Sequence, residues 1–149
     1  MLTAKDIMTT EVITVTTEMS VRDLADILWK NRISGAPVID SDNQLVSVVT
    51  ESDLIDQNKK VHIPKMIAIL DSVLYLEKPG KLKEDIRKMT GATVQDIMAK
   101  DLVTVTADIH LDEIATIMAG KKVHTLPVVS GKELIGVIGK SDIIRTLIA

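Results

Sequence analysis

Arg32-Ile33-Ser34-Gly35-Ala36-Pro37-Val38-Ile39-Asp40-Ser41-Asp42-Asn43-Gln44-Leu45-Val46-Ser47-Val48-Val49-Thr50-Glu51-Ser52-Asp53 decides the fold, because this stretch occurs twice. In the second copy Val123-His124-Thr125-Leu126-Pro127-Val128-Val129 takes the place of Ile33 to Ile39, and Gly139-Lys140-Ser141-Asp142 that of Thr50 to Asp53. Upstream the register holds without a gap: Asp6-Ile7-Met8 returns as Asp96-Ile97-Met98 and Pro37 as Pro127, each at an offset of 90 residues. Asp53 and Asp142 stand 89 apart, so one residue is lost in the polar turn. Loops absorb such changes and packed elements do not, which marks a duplicated structural unit.

Working outward, Val12-Ile13-Thr14-Val15-Thr16 and Leu102-Val103-Thr104-Val105-Thr106 are rich in β-branched residues and predict a strand in each copy. A helix follows, with Ser20 as N-cap, Asp23 three residues on, and Val21, Leu24, Ala25 and Leu28 on one face. Leu111, Ile114, Ala115 and Met118 repeat that face, and Asn31 and Gly120 are the expected helix stops. Pro37 opens a second strand to Asp40, Ser41-Asp42-Asn43 turns, and Leu45 to Val49 returns as a third. A last helix starts at Thr50-Glu51-Ser52-Asp53, with Ser141 to Ile148 as its longer counterpart. Each copy therefore reads β-α-β-β-α, an α/β (α+β) unit too small to be stable alone, so the two should pack on each other.

The divisions are residues 1–57, an insert 58–94, and 95–149. In the insert, Met66, Ile67, Leu70 and Leu74 keep helical spacing, although a strand within Ile63 to Leu76 stays open. Lys78-Pro79-Gly80 reads as a turn, and Leu82, Ile86 and Met89 as a short helix closed by Gly91. So apolar an insert is either extra core or an interface.

With 46% hydrophobic and 26% charged residues, the 149-residue chain sits in the globular range. The absence of cysteine removes disulfides, Cys-containing zinc sites and thiol chemistry, and fits a reducing cytoplasmic setting. Charged residues break every apolar run before membrane-spanning length, and no leader-like segment opens the chain, which reads as soluble and unprocessed. A net charge of −3 without a basic block argues against nucleic acid. With no Phe, one Trp and one Tyr, base stacking on aromatic platforms is nearly excluded, so a flat heterocycle would lie between aliphatic side chains.

The ordered pattern, Asp-Ile-Met, a strand ending Val-Thr, a helix, His/Ser-x-x-Pro-Val, and a strand running into Ser-Asp, resembles a pair of cystathionine-β-synthase (CBS) domains, also called a Bateman module. The resemblance spans residues 5–56 and 95–148. It implies a regulatory sensor that requires no cofactor and performs no catalysis. The implied ligand is an adenosyl compound, AMP, ADP, ATP or S-adenosylmethionine, held in the cleft between the repeats. It also implies a homodimer that signals to an effector protein.

Carried over by position, the resemblance builds one site from Thr50, Ser52 and Asp53 with Met98, Val103, Val123, His124, Thr125, Leu126 and Pro127. A mirror site would take Gly139, Ser141 and Asp142 with Met8, Ile13, Ile33, Ser34, Gly35, Ala36 and Pro37. An Asp at a helix start can accept from both ribose hydroxyls. Thr50-x-x-Asp53 reads equally as a capping box. Gly139 stands where the pattern has Thr or Ser, Thr125 where it often has Arg, and Ser47 where Gly would let strands approach closely. His124 is the expected phosphate contact; alone, a His beside Val123 and Leu126 is as well a structural residue. Arg32, Lys121 and Lys122 either add charge for a phosphate or sit solvated at helix ends.

His62 and His110 stand apart, so no metal site is expected, and no Gly-x-Ser-x-Gly or Gly-rich phosphate loop occurs. The rival to the sensor reading is an interaction protein acting through dimerisation, its ligand pockets vestigial.

Overall fold

The computed structural model describes residues 1–55 and 92–148; the expected elements of the insert up to Gly91 lie outside the described residues. In chain order the described elements are α1 (Ala4–Ile7), β1 (Val15–Thr16), α2 (Val21–Asn31), β2 (Gly35–Ile39), β3 (Leu45–Thr50), α3 (Glu51–Ile55), α4 (Val94–Ile97), β4 (Val105–Thr106), α5 (Leu111–Lys121), β5 (Thr125–Ser130), β6 (Glu133–Gly139) and α6 (Lys140–Ile148). They form two three-stranded sheets, ordered β1-β2-β3 and β4-β5-β6. In each, the first strand runs parallel to the second and the second pairs antiparallel with the third. This is the expected mixed α/β repeat.

The first strands are shorter than the β-branched runs predict. Only Val15 and Thr16 pair, with Val38 and Ile39, and only Val105 and Thr106 pair, with Val128 and Val129. β2 and β5 are irregular at these same positions, where each hairpin carries a bulge, so they offer little straight edge to a parallel neighbour. β2 and β5 start at Gly35 and Thr125, placing Pro37 and Pro127 inside the strands rather than at their heads. On the far side of Pro37 the pairing with β1 begins only at Val38, so its missing N–H faces no partner strand there.

Ser20 caps α2 as its sequence predicts, its hydroxyl accepting the Asp23 N–H at 3.0 Å. The helix stops lie one and two residues beyond Asn31 and Gly120: Arg32 and Lys122 take the left-handed conformation, with φ of 53° and 54°. Asn31 is the last helical residue, and its side-chain amide donates to the Ile27 carbonyl at 2.8 Å. Gly120 is the penultimate helical residue. Repeat register, 32 to 122, locates these stops better than residue type does.

The lost residue falls in the hairpin turn. In the first copy the Asp40 carboxylate accepts from the N–H groups of Asp42 and Gln44, each at 2.9 Å, and Asn43 is left-handed at φ 63°. The second copy turns on Gly131, φ 61°, and Lys132 between Ser130 and Glu133.

Two segments change places. Thr3 and Asp6 form a capping box that starts α1, and Thr93 and Asp96 repeat it for α4. The N–H and then the hydroxyl of Thr3 hold the Asp6 carboxyl below the usual carboxylate range. Yet α1 sits on the second repeat: Ala4 and Lys5 donate to the carbonyls of Ile109 and Ala107, both at 2.9 Å, and Thr9 bridges Val137. Correspondingly, α4 sits on the first repeat, Val94 and Gln95 donating to Met19 and Thr17. Ala4 and Ile7 are buried with Val105, Ile114, Leu126, Val128 and Ile138, while Val94 and Ile97 join Val15, Leu24, Leu28, Val38 and Val49. Each core is thus completed by a helix from the other copy.

Ser47 belongs to this exchange. It is 1% exposed, and its hydroxyl donates to the Ala99 carbonyl at 2.5 Å, fastening the segment after α4 to β3. It does not crowd the strand. The equivalent Gly136 faces Met8, whose sulfur would stand 2.5 Å from an added Cβ. One copy fixes its guest segment with a hydroxyl, the other by making room for a thioether.

Candidate functional site

β2 and β3 pack against β5 where the repeats meet. The seam is tight at Gly35: a Cβ there would lie 2.7 Å from Thr125 Oγ1, 2.9 Å from Thr50 Cγ2 and 3.1 Å from the Val49 carbonyl oxygen. Glycine lets these two threonines approach one another across its backbone. Gly35→Ala is expected to destabilise the chain by about 1–3 kcal/mol, the usual cost of forcing one group into a filled space. Thermal unfolding checks it; an unchanged midpoint would mean the seam opens at no cost.

Beside this seam lies a cavity of about 250 Å³. Thr50, Glu51, Ser52 and Asp53 line it from the strand-to-helix corner of the first repeat, and Lys122, Val123, His124 and Thr125 from the head of β5. Val48, Ala99 and Val103 supply aliphatic walls, and Ser34, Asp101 and Lys140 complete the rim.

Asp53 closes the corner on itself, its Oδ2 accepting the Thr50 N–H at 2.8 Å and the Thr50 hydroxyl at 3.2 Å. The capping reading and the cavity reading therefore hold together: the bond that starts α3 also fixes the half-buried carboxylate on the cavity wall. His124 is exposed on the rim, while Thr125 is buried beneath it. Lys122 and Lys140 face Glu51, Asp53 and Asp101 around the same space, so both signs are present.

Of the residues expected in the first site, Thr50, Ser52, Asp53, Val103, Val123, His124 and Thr125 line this cavity. Met98 packs on the first core, Leu126 lies in the second, and Pro127 is fully buried. Of the mirror set, Gly35 lies at the seam against Thr125, and Gly139 pairs with Thr125. Ser34 lines the first cavity, Ile33 packs on the first core, and Ala36 and Pro37 are buried. Met8 packs on the second core, Ile13 is half-buried, and Ser141 is exposed. Asp142 is 5% exposed and accepts the Gly139 N–H at 2.7 Å.

Sequence reasoning missed Glu51, Val48, Ala99, Asp101 and Lys140 as lining. Ala99 and Asp101 arrive through the exchanged segment, which no local pattern announces. Glu51 and Lys140 are equivalent by the 89-residue offset, and that could have flagged them as a pair.

Among the described residues, no group of three or more His, Cys, Asp or Glu is placed to hold a metal ion, and no helix is long and apolar enough to cross a membrane.

The chain is similar to known proteins. An uncharacterized protein of Methanocaldococcus jannaschii is 28% identical over 97% of this chain and 90% of its own length. Two further proteins of that archaeon are longer, this chain spanning 42% and 30% of them. The crystal structure of CBSX2 in complex with AMP is 26% identical, with a TM-score of 0.70 over 99% of this chain and 97% of that one. The CBS domain of a membrane protein from Sphaerobacter thermophilus is 24% identical, with a TM-score of 0.70 over 97% and 86%, and shares the fold. The CBS domain family model matches residues 4–59 and again 94–149. Matched in both copies over most of its length, the chain belongs to the CBS-domain family as a tandem pair.

Proposed function

We propose that this CBS pair is a regulatory module that binds an adenosyl compound of the AMP class in the Thr50–Asp53 cavity and carries out no chemistry on it. The observation that supports this most is the convergence of Asp53, two threonine hydroxyls and His124 on one aliphatic-walled space. A carboxylate held at a helix start accepts from both hydroxyls of a ribose. Val48, Ala99, Val103 and Val123 give an adenine ring dispersion contacts from side chains rather than aromatic stacking. His124 and Lys122 would meet a phosphate.

About 250 Å³ is below the range of roughly 300–1,000 Å³ typical of drug-sized ligand sites, which favours a monophosphate over a dinucleotide. The likeness to CBSX2, whose crystal structure is described as a complex with AMP, supports the same ligand class. Trp29 is 84% exposed on α2 and Leu147 79% exposed on α6, apolar surface that suits association with a second copy. The output would then pass to an effector protein through that assembly.

Calorimetric titration with AMP, ATP and S-adenosylmethionine tests the proposal. At least one should bind more tightly than about 1 mM, or about 4 kcal/mol. Silence from all three, with dimer formation indifferent to them, would favour the interaction protein whose pockets are vestigial.

A further inference from the structure

The repeats place the same carboxylate at the start of the same helix, but the two carboxylates have different surroundings. Asp142 is engaged from three sides: the Gly139 N–H donates to Oδ2, Thr9 Oγ1 donates to Oδ1 at 3.2 Å, and the Arg145 guanidinium meets Oδ1 at 2.9 Å. The same guanidinium nitrogen donates to the Ile7 carbonyl at 3.1 Å. Arg145 thus joins α6 to the end of α1, the helix that crossed over from the first copy. Asp53 is half-buried, accepts from the N–H and hydroxyl of Thr50, and lines the cavity.

The sequence encodes this difference position by position. By the 89-residue offset Arg145 is replaced in the first copy by Asp56, and by the 90-residue offset Thr9 is replaced by Ala99. Neither replacement offers the group found beside Asp142: an acid carries no guanidinium, and alanine has no hydroxyl. The threonines are distributed unequally as well. Thr50 and Thr125 both line the cavity, and their equivalents, Gly139 and Gly35, carry no side chain.

We infer that Asp142 is a structural clamp for the N-terminal segment and not a second ligand anchor, so the chain holds one adenosyl ligand rather than two. The ligand half of this statement rests on the proposed function; the clamp half stands on the Asp142 geometry alone. A buried carboxylate that loses its cation is left uncompensated, so the pair holds α1 in place as long as Arg145 is present.

Amide hydrogen exchange on the full chain tests the clamp. Arg145→Met should raise exchange at Ala4, Lys5, Met8 and Thr9, whose N–H groups bond to Ile109, Ala107, Ala4 and Val137, by about tenfold or more. Val94, Gln95, Met98 and Ala99, the equivalent amides of the other guest segment, should change by less than about twofold. Thr9→Ala, which installs the residue of the other copy, should move the same N-terminal amides in the same direction. Titration of the wild-type chain with AMP should saturate at one per chain. Unchanged exchange at residues 4–9 in both variants overturns the clamp, and saturation at two AMP per chain overturns the single site. If AMP and S-adenosylmethionine both fail to bind, the ligand half falls together with the proposed function, and the exchange data alone decide the clamp.

Discussion

Asp53→Ala is expected to raise the dissociation constant for AMP by about 100-fold, the loss of two hydrogen bonds to a charged acceptor at roughly 1.5 kcal/mol each. The same substitution removes the acceptor of the Thr50 N–H and hydroxyl, so it should also cost about 1 kcal/mol of stability through the lost cap. Asp53→Asn separates the two effects. It keeps an oxygen for the cap but loses the charge, and should weaken AMP by about tenfold with a smaller change in melting temperature. Calorimetry on both variants, each melted alone and with AMP, reads the two quantities independently. If Asp53→Ala binds AMP within about threefold of the wild type, the carboxylate is only a cap and the ribose assignment is wrong.

That ambiguity between cap and ligand anchor was present in the sequence, and the structure explains why sequence could not resolve it. Thr50-x-x-Asp53 satisfies both roles with one side chain, because the oxygen that accepts from Thr50 belongs to a carboxylate on the cavity wall. What was legible came from repetition. The strands, the long helices and the hairpins recur at fixed offsets, and a duplicated hydrophobic pattern is a stronger signal than local propensity. Thr50, Asp53, Val123, His124 and Thr125, the residues that the family resemblance carried over, line one cavity.

What was hidden is non-local. Nothing in Thr3-Ala4-Lys5-Asp6-Ile7 says that its apolar residues will fill the core of the other copy. Both copies carry the same short segment, and either core would accept either one by pattern alone. The difference between the two carboxylates was hidden for the same reason: Thr9 lies 133 residues from Asp142, and only the exchange brings them together. Gly139 looked like a missing hydroxyl. Beside the structure it is one half of a Gly/Thr pairing, opposite Thr125 on β5, just as Thr50 stands opposite Gly35 on β2 and β3.

The exchange makes a second large effect predictable. Ile7→Ala should cost about 3 kcal/mol, within the range of roughly 2–5 kcal/mol for truncating a buried aliphatic side chain to alanine, and lower the melting temperature by roughly 6–12 °C. Ile7 lies in the core formed by Ile114, Leu126 and Ile138, and Ile97 lies in that of Leu24, Val38 and Val49. Because each core holds a helix tethered to the other copy, loosening one should release the other. Amides of β2 and β3 should therefore lose protection together with those of β5 and β6, although Ile7 touches only the second core. A chain in which each copy kept its own helix would behave differently, the second sheet opening early while the first stayed protected. Ile97→Ala gives the reciprocal test, and it should produce the same joint loss from the opposite side. Two separate transitions in either variant, followed by circular dichroism and amide exchange, would show that the crossed segments pack without coupling the repeats. A single transition would mean that a ligand closing the cavity stabilises both halves at once, which is the property a regulatory module needs if binding at one corner is to be felt on the far surface.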